Sequence, residues 1–390
     1  VSLDALVNLS RKYGADPAFV IAGGGNTSYK ERDILYIKAS GTALATIRAE
    51  HFVQMNREKL TRMWQRTYPA DEAEREQLVL EDLMDARLPG DEQKRPSVET
   101  LLHDLLPFAY VVHTHPAIVN GLTCSQYGEQ AFRELFGDEA LWIPITNPGY
   151  ILSLKVKNAL DYYKNQRQKV PRMIFLQNHG VFVASDTPED IDALYQLIIE
   201  RIMKNLKRVP QKNPIQGAFG PSQAIAKLLE TCPAPSHLTG TPEQSRYIQF
   251  RRDPELARFT QTKEDFKALN KPFTPDHIVY AGSKPLFLDL QLTENSLINE
   301  GVAQIIKDQW SAYITLYKRI PKTVAISGLG IFGIGLTERA AKLATELMAD
   351  AAQIACYTES FGGPRHMEEE FINFIDNWEV EQYRSSISTK

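Results

Sequence analysis

Short blocks of apolar residues alternate with polar turns over the first 209 residues, and their lengths predict strands and helices in turn. Residues 4–13 place Leu6, Val7 and Leu9 at helical spacing. Phe19-Val20-Ile21 predicts a short strand running into the turn Ala22-Gly23-Gly24-Gly25-Asn26-Thr27-Ser28. Residues 34–38 predict a strand ending at Ser40-Gly41, and residues 46–50 the start of a short helix. Residues 55–90 are charge-rich and mostly helical in pattern, with Pro69 as punctuation. Arg95-Pro96-Ser97-Val98-Glu99 opens a helix, with Ser97 a good N-cap and Glu99 in the first turn. Residues 110–115 read as a strand ending at Pro116, followed by a helix through Val119 and Leu122. Further strands are predicted at 141–145 and 173–176. Asn178-His179-Gly180 closes the latter before Val181-Phe182-Val183, and residues 188–206 have helical period.

The pattern changes over 208–245, where Pro210, Pro214, Pro221, Pro233, Pro235 and Pro242 gather with Gly217, Gly220 and Gly240. A linker or irregular crossover is expected at 210–245, with a short helix at 222–229. It separates a domain at 1–209 from a second α/β unit at 246–390. That unit is predicted to have strands at 278–280, 286–288 and 322–327 and helices at 297–316, 337–361 and 367–373. No internal repeat is evident.

Composition narrows the class. The 390 residues are 43% hydrophobic and 24% charged, as in ordinary globular chains, and the length suits two domains. No apolar run approaches the ~20 residues of a membrane span. From Val1 onward there is no basic segment followed by an apolar core, so neither a signal peptide nor a membrane partner is expected. Cys124, Cys232 and Cys356 are far apart and odd in number, which points to a reducing, cytoplasmic setting. With no CxxC pair, a metal must rest on histidines and carboxylates. A net charge of −4 without long basic runs argues against nucleic-acid binding.

Three signals carry chemistry. His113-Thr114-His115 puts two imidazoles on one face of a strand, and His179 follows another strand end beside Gly180. Three neutral imidazoles with one open position make a common catalytic zinc arrangement, whereas a bare HxH is also an ordinary polar strand end. Imidazole suits Zn²⁺ or another divalent transition metal better than Mg²⁺. The glycine-rich turn before Asn26, Thr27 and Ser28 can present N–H groups to an anion, but it lacks a Walker lysine, and a plain turn fits equally. Ser40-Gly41 and Ser97 could complete such a pocket, each being also an ordinary turn or cap. Glu99, on the element that leads into the histidine strand, is a candidate general base or a dipole-complementing carboxylate. His103, one turn later, reads as a core or supporting histidine rather than a ligand.

Together, Gly25-Asn26-Thr27-Ser28, Ser40-Gly41, Pro96-Ser97-Val98-Glu99, His113-Thr114-His115-Pro116 and Asn178-His179-Gly180 resemble the class II aldolase/adducin family in order and spacing. The resemblance implies an α/β fold, an α/β/α sandwich around a mixed, largely antiparallel sheet. It implies Zn²⁺ on His113, His115 and His179, Glu99 as acid/base, and a phosphate pocket from Asn26, Ser40, Gly41 and Ser97 with Thr27 and Ser28 nearby. It also implies a homotetramer acting on a small-molecule sugar phosphate. Val98 stands where single-domain fuculose-phosphate aldolases have a second serine, and no equivalent of their tail tyrosine can be placed. Lys284-Pro285-Leu286-Phe287, Gly328-Leu329-Gly330-Ile331-Phe332 and Trp378-Glu379-Val380-Glu381-Gln382 resemble the aldolase portion of bifunctional rhamnulose-1-phosphate aldolase/alcohol dehydrogenases. No dehydrogenase portion follows in this sequence.

The implied reaction is reversible aldol cleavage of a ketose 1-phosphate to dihydroxyacetone phosphate and an aldehyde. Sugar-phosphate 4-epimerases and a thioribulose-phosphate dehydratase use the same fold and histidines. A non-catalytic, adducin-like module is a third reading. A dehydrogenase built on the GxGxxG string at 328–333 is a fourth, weakened because no clear strand and acidic ribose partner follow.

Overall fold

The computed structural model describes residues 3–211, 215, 220–234, 246–293, 295–379, 383 and 387. The chain divides into two units, one of residues 1–123 and 127–205, the other of 124–126 and 206–390.

The first unit is built on a seven-stranded mixed sheet in the order β3-β2-β1-β4-β7-β6-β5. Its strands are β1 (Asn26–Glu31), β2 (Ile34–Lys38), β3 (Phe52–Asn56), β4 (Tyr110–Thr114), β5 (Leu141–Ile143), β6 (Met173–Leu176) and β7 (Gly180–Ser185). Every pair is antiparallel except β5 with β6. The helices are α1 (Leu3–Gly14), α2 (Arg57–Met63), α3 (Glu72–Asp85), α4 (Thr100–Leu105), α5 (Ala117–Thr123), α6 (Gly128–Phe136), α7 (Tyr150–Arg167) and α8 (Pro188–Met203).

Strand alternation sorts the sheet into two faces. Val111, Ile174, Leu176, Phe182 and Ala184 pack against Leu102 and Leu106 at α4 and Leu152, Val156 and Leu160 of α7. On the opposite face Tyr195 of α8 bonds Thr114 and the Val112 carbonyl, and Ser10 of α1 bonds Thr27. The result is an α/β/α sandwich.

Several local expectations change. Residues 19–21 are not a strand, Phe19 ending a turn and Val20 and Ile21 being irregular, while Asn26-Thr27-Ser28 is the start of β1 rather than part of the turn. Strand β3 was not expected: it falls between the short helix expected from 46–50 and the helical stretch from 55, and its Phe52, Val53 and Met55 are buried. Helix α4 begins at Thr100, so Glu99, not Ser97, takes the N-cap position, without a side-chain cap.

The second unit has a four-stranded sheet, β8-β11-β10-β9, of β8 (Tyr247–Arg251), β9 (Leu286–Leu288), β10 (Thr323–Ile326) and β11 (Gly330–Gly335). Its α-helices are α9 (Gly220–Thr231), α10 (Pro254–Phe259), α11 (Glu300–Tyr317), α12 (Glu338–Thr358) and α13 (Glu369–Asn377). Helix α9 lies inside the stretch expected to be a linker, and its Ile225 and Leu229 are buried in this unit's core with Trp310 and Phe332. Residues 235–245 and 380–382 lie outside the described residues. Residues 278–280, expected as a strand, lie within one turn of π-helix, His277–Ala281. The GxGxxG string does not open a helix: Gly330–Gly335 is strand β11, and α12 starts later behind its own cap, Thr337. Among the described residues no helix is long and apolar enough to cross a membrane.

The sheets answer the question of repeats differently from the sequence. An offset of 150 residues carries α7 onto α11, β6 onto β10, β7 onto β11 and the start of α8 onto that of α12. Strand order and sense match as well, β4-β7-β6-β5 against β8-β11-β10-β9, each with its parallel pair at the outer edge. The residues shared at this offset are few, among them Tyr163 and Tyr313, Pro171 and Pro321, Gly180 and Gly330, Phe182 and Phe332, Thr187 and Thr337. They mark a cap, a turn and core contacts, which fix the geometry without leaving a visible sequence period.

Candidate metal centre

His113 is the last inward residue of β4 on the α4/α7 face, and His115 follows it one residue past the strand. His179 sits in the tight turn between β6 and β7, anchored by the Gln177 N–H on the Ile143 carbonyl and the Asn178 N–H on that of Thr123. Asn178 takes the left-handed conformation the turn requires, φ 55°. Gly180 lets that turn lie against the end of β4, because a Cβ there would come within 2.5 Å of the Thr114 carbonyl oxygen and 2.7 Å of the His115 ring.

The three imidazoles converge, each offering one nitrogen, all within 4.8 Å of one another. His113 is fully buried and stacks on Phe182, ring centres 4.1 Å apart. Its Nδ1 donates to the Val181 carbonyl at 3.1 Å, which fixes the tautomer and turns the Nε2 lone pair into the site. The Nε2 atoms of His113 and His115 are 2.9 Å apart, close enough to share one cation.

Glu99 faces this cluster. Its Oε1 is 3.5 Å from His113 Nε2 and 3.7 Å from His179 Nε2. That oxygen is buried and has no hydrogen-bond partner among the described residues, an expensive state for a carboxylate unless a cation or substrate proton meets it. A neutral three-histidine donor set facing an orphaned carboxylate oxygen fits a divalent metal.

Asn26 orients the carboxylate. Its Nδ2 donates to Glu99 Oε2 at 2.6 Å and to Ser97 Oγ at 3.1 Å. Its Oδ1 accepts from His103 Nε2, and His103 Nδ1 accepts from the Ser28 hydroxyl at 2.7 Å. This order holds His103 neutral, in keeping with a pKa pushed well below the usual value by burial first and then by Lys30, His113 and Lys38. His103 is thus a supporting residue at second remove from the cluster.

The anion-pocket residues expected from the sequence are only partly brought together. Asn26 and Ser97 are bonded to each other. Ser40-Gly41 lies beside them, the Ser40 N–H on the Arg95 carbonyl and Ala39 bridged to Pro96. Ser28 is fully buried and committed to His103. Thr27 points to the opposite face of the sheet, where its hydroxyl meets that of Ser10 at 2.6 Å.

Lys38, which the sequence reading did not single out, lies on that same opposite face, paired across the sheet with Phe52 and 3% exposed. Its ammonium donates to the carbonyls of Thr42 at 2.7 Å and Gly23 at 3.5 Å, tying the Ser40-Gly41 turn to the glycine-rich turn from behind. A lysine two residues before Ser-Gly, at a strand position between buried neighbours, was the available signal.

Residues 4–202 match the model of the class II aldolase and adducin N-terminal domain, half of the chain, and residues 225–384 match the second domain of class II aldolases. The chain belongs to the class II aldolase and adducin family. Among related class II aldolase structures is the N-terminal class II aldolase domain of a conserved protein from Thermoplasma acidophilum. It is 27% identical, with 52% of this chain and 92% of that chain covered and a TM-score of 0.44. The L-fuculose-1-phosphate aldolase of Thermus thermophilus is 16% identical over 52% of this chain and 91% of its own, with a TM-score of 0.33. A Bacillus subtilis (strain 168) protein, named as the uncharacterized oxidoreductase YuxG, is 23% identical across 99% of this chain. The chain spans 58% of that relative's length.

Proposed function

We propose that this chain carries out a zinc-dependent, reversible aldol cleavage of a ketose 1-phosphate to dihydroxyacetone phosphate and an aldehyde. The carrying observation is the convergence of His113, His115 and His179 before a buried Glu99 oxygen that has no hydrogen-bond partner among the described residues. Membership of the class II aldolase and adducin family supports the same reading.

His113, His115 and His179 would hold the metal. When bound, a divalent ion supplies Lewis acidity to the carbonyl and neighbouring hydroxyl oxygens of the substrate. Glu99 moves the proton at the hydroxymethyl carbon of the dihydroxyacetone phosphate fragment, taking it in condensation and returning it in cleavage. Asn26 keeps the carboxylate aimed, so that proton transfer needs no reorientation. Ser40, Gly41 and Ser97 receive the phosphate beside Asn26, and Lys38 sets the two turns that bring them together.

The test is to load the protein with zinc, offer rhamnulose 1-phosphate and fuculose 1-phosphate, and assay dihydroxyacetone phosphate. Its release supports the aldolase reading and begins to fix the sugar. Zinc-loaded protein that cleaves neither moves the assignment to an epimerase, a dehydratase or another ketose phosphate.

A further inference from the structure

The repeat within the chain allows the three ligand positions to be located in the second unit. In the first, His113 stands opposite Phe182 and Thr114 opposite Val181. In the second, Phe250 stands opposite Phe332 and Arg251 opposite Ile331. Since Phe182 and Phe332 correspond, Phe250 takes the place of His113. Arg252, one residue past β8, takes the place of His115. Leu329, immediately before Gly330, takes the place of His179.

The surroundings of the site are kept while its donors are lost. Phe250 packs on Phe332 with ring centres 5.0 Å apart, as His113 packs on Phe182. Gly328, φ 75°, stands in for Asn178, φ 55°. Gly330 meets the end of β8 as Gly180 meets that of β4: a Cβ on it would come within 2.8 Å of the Arg251 carbonyl oxygen. Leu329 is fully buried in the apolar core. Among the described residues the second sheet has no counterpart of β1–β3, which carry Asn26 and lead to Ser40.

One substitution adds a bond. The Arg252 guanidinium Nη1 donates to the carbonyls of Gly328 at 3.0 Å and Leu329 at 3.2 Å. It joins the end of β8 to the β10–β11 turn, the same two places that a metal on His113, His115 and His179 would join in the first unit. A guanidinium is permanently charged and has five donors in a rigid fork, so it can make this cross-link without an ion.

We infer that the second unit is a metal-free copy of the metal-bearing half of the first sheet, in which Arg252 performs the cross-linking that the metal performs there. The comparison rests on the three-histidine assignment, but the Arg252 clamp does not depend on any catalytic activity.

Hydrogen exchange, read by mass spectrometry on the full chain together with its metal content, tests this. Wild-type protein should hold one metal. Chelation should speed exchange about tenfold or more at residues 177–181 and leave 327–331 unchanged. Arg252→Met should do the reverse, with one metal retained, and Arg252→Lys, which keeps a single cation with fewer fixed donors, should show a smaller effect at 327–331. If Arg252→Met does not accumulate folded, Arg252→Lys carries the test. Two metals per chain, chelation that loosens both turns, or Arg252 variants that leave 327–331 unchanged would overturn the inference. Absence of aldol cleavage would leave it standing, because neither readout is activity.

Discussion

The Asn26 amide holds one oxygen of Glu99 at 2.6 Å, and the other oxygen is thereby left facing His113 Nε2 at 3.5 Å. A polar strand residue thus sets the direction of a carboxylate that comes from a distant loop. Asn26→Ala frees that carboxylate to rotate. It should lower turnover about 10–100-fold while the metal content stays at one per chain. Equal turnover in the variant would remove Asn26 from the positioning role.

Glu99→Gln keeps the size of the side chain and its contact with Asn26 but removes the carboxylate proposed as the base. Turnover should fall by about 10²–10⁴-fold, the usual range for a lost acid/base group, again with metal retained. Steady-state rates beside metal analysis check this, and a variant that loses its metal would make Glu99 a ligand instead.

His179 reaches the site from the β6–β7 turn, apart in sequence from the pair on β4. His179→Ala leaves two imidazoles and should weaken metal binding enough for gel filtration to strip it. A chain that still carries a full equivalent after gel filtration would argue against the ligand set.

Lys38 ties two turns together through carbonyl oxygens, and a hydrogen bond from a charged donor is worth about 1.5–3 kcal/mol. Lys38→Met should therefore raise KM for the phosphorylated sugar by about tenfold or more, with a smaller change in kcat. A fall in kcat with KM unchanged would place its effect on the chemistry rather than on phosphate binding.

Lys30, on β1, is pushed down to about 7, chiefly by burial, from an ordinary value of 10.5. Below pH 7 it is protonated in both folded and unfolded chains, and the cost of burying the charge is present in full. Between about 7 and 10.5 the unfolded chain binds a proton that the folded chain does not, so stability rises with pH there. Lys30→Met removes this penalty. Its gain in urea denaturation should be larger at pH 6 than at pH 9 by about 2–3 kcal/mol, at about 1.4 kcal/mol per pKa unit. The same gain at both pH values would contradict the shift.

The histidine strand and the β6–β7 pair were legible because short apolar runs end there in residues of a different kind, His-Pro and Asn-His-Gly. Strand β1 was not, since Asn-Thr-Ser-Tyr-Lys-Glu shows no apolar alternation, and its buried polar side chains are satisfied only by partners far away in sequence. That concealment separated Thr27 from Asn26: the residues adjoin in sequence but lie on opposite faces of the sheet. Ile278-Val279-Tyr280 misled for the opposite reason, because a short buried apolar run has the same composition in a strand and in a helical turn. The internal repeat was hidden because its copies share geometry at a few turn and core positions, while the residues that would advertise it became Phe250, Arg252 and Leu329.

The most direct test of the three-histidine metal centre is a titration of chelated protein with zinc, following dihydroxyacetone phosphate release from a ketose 1-phosphate substrate. There should be no release without metal and a linear rise that stops at one equivalent per chain. The His113→Ala and His179→Ala variants should give no release at one equivalent of zinc. Release that persists in fully chelated protein, or in either histidine variant at one equivalent of zinc, would overturn the proposed metal-dependent cleavage.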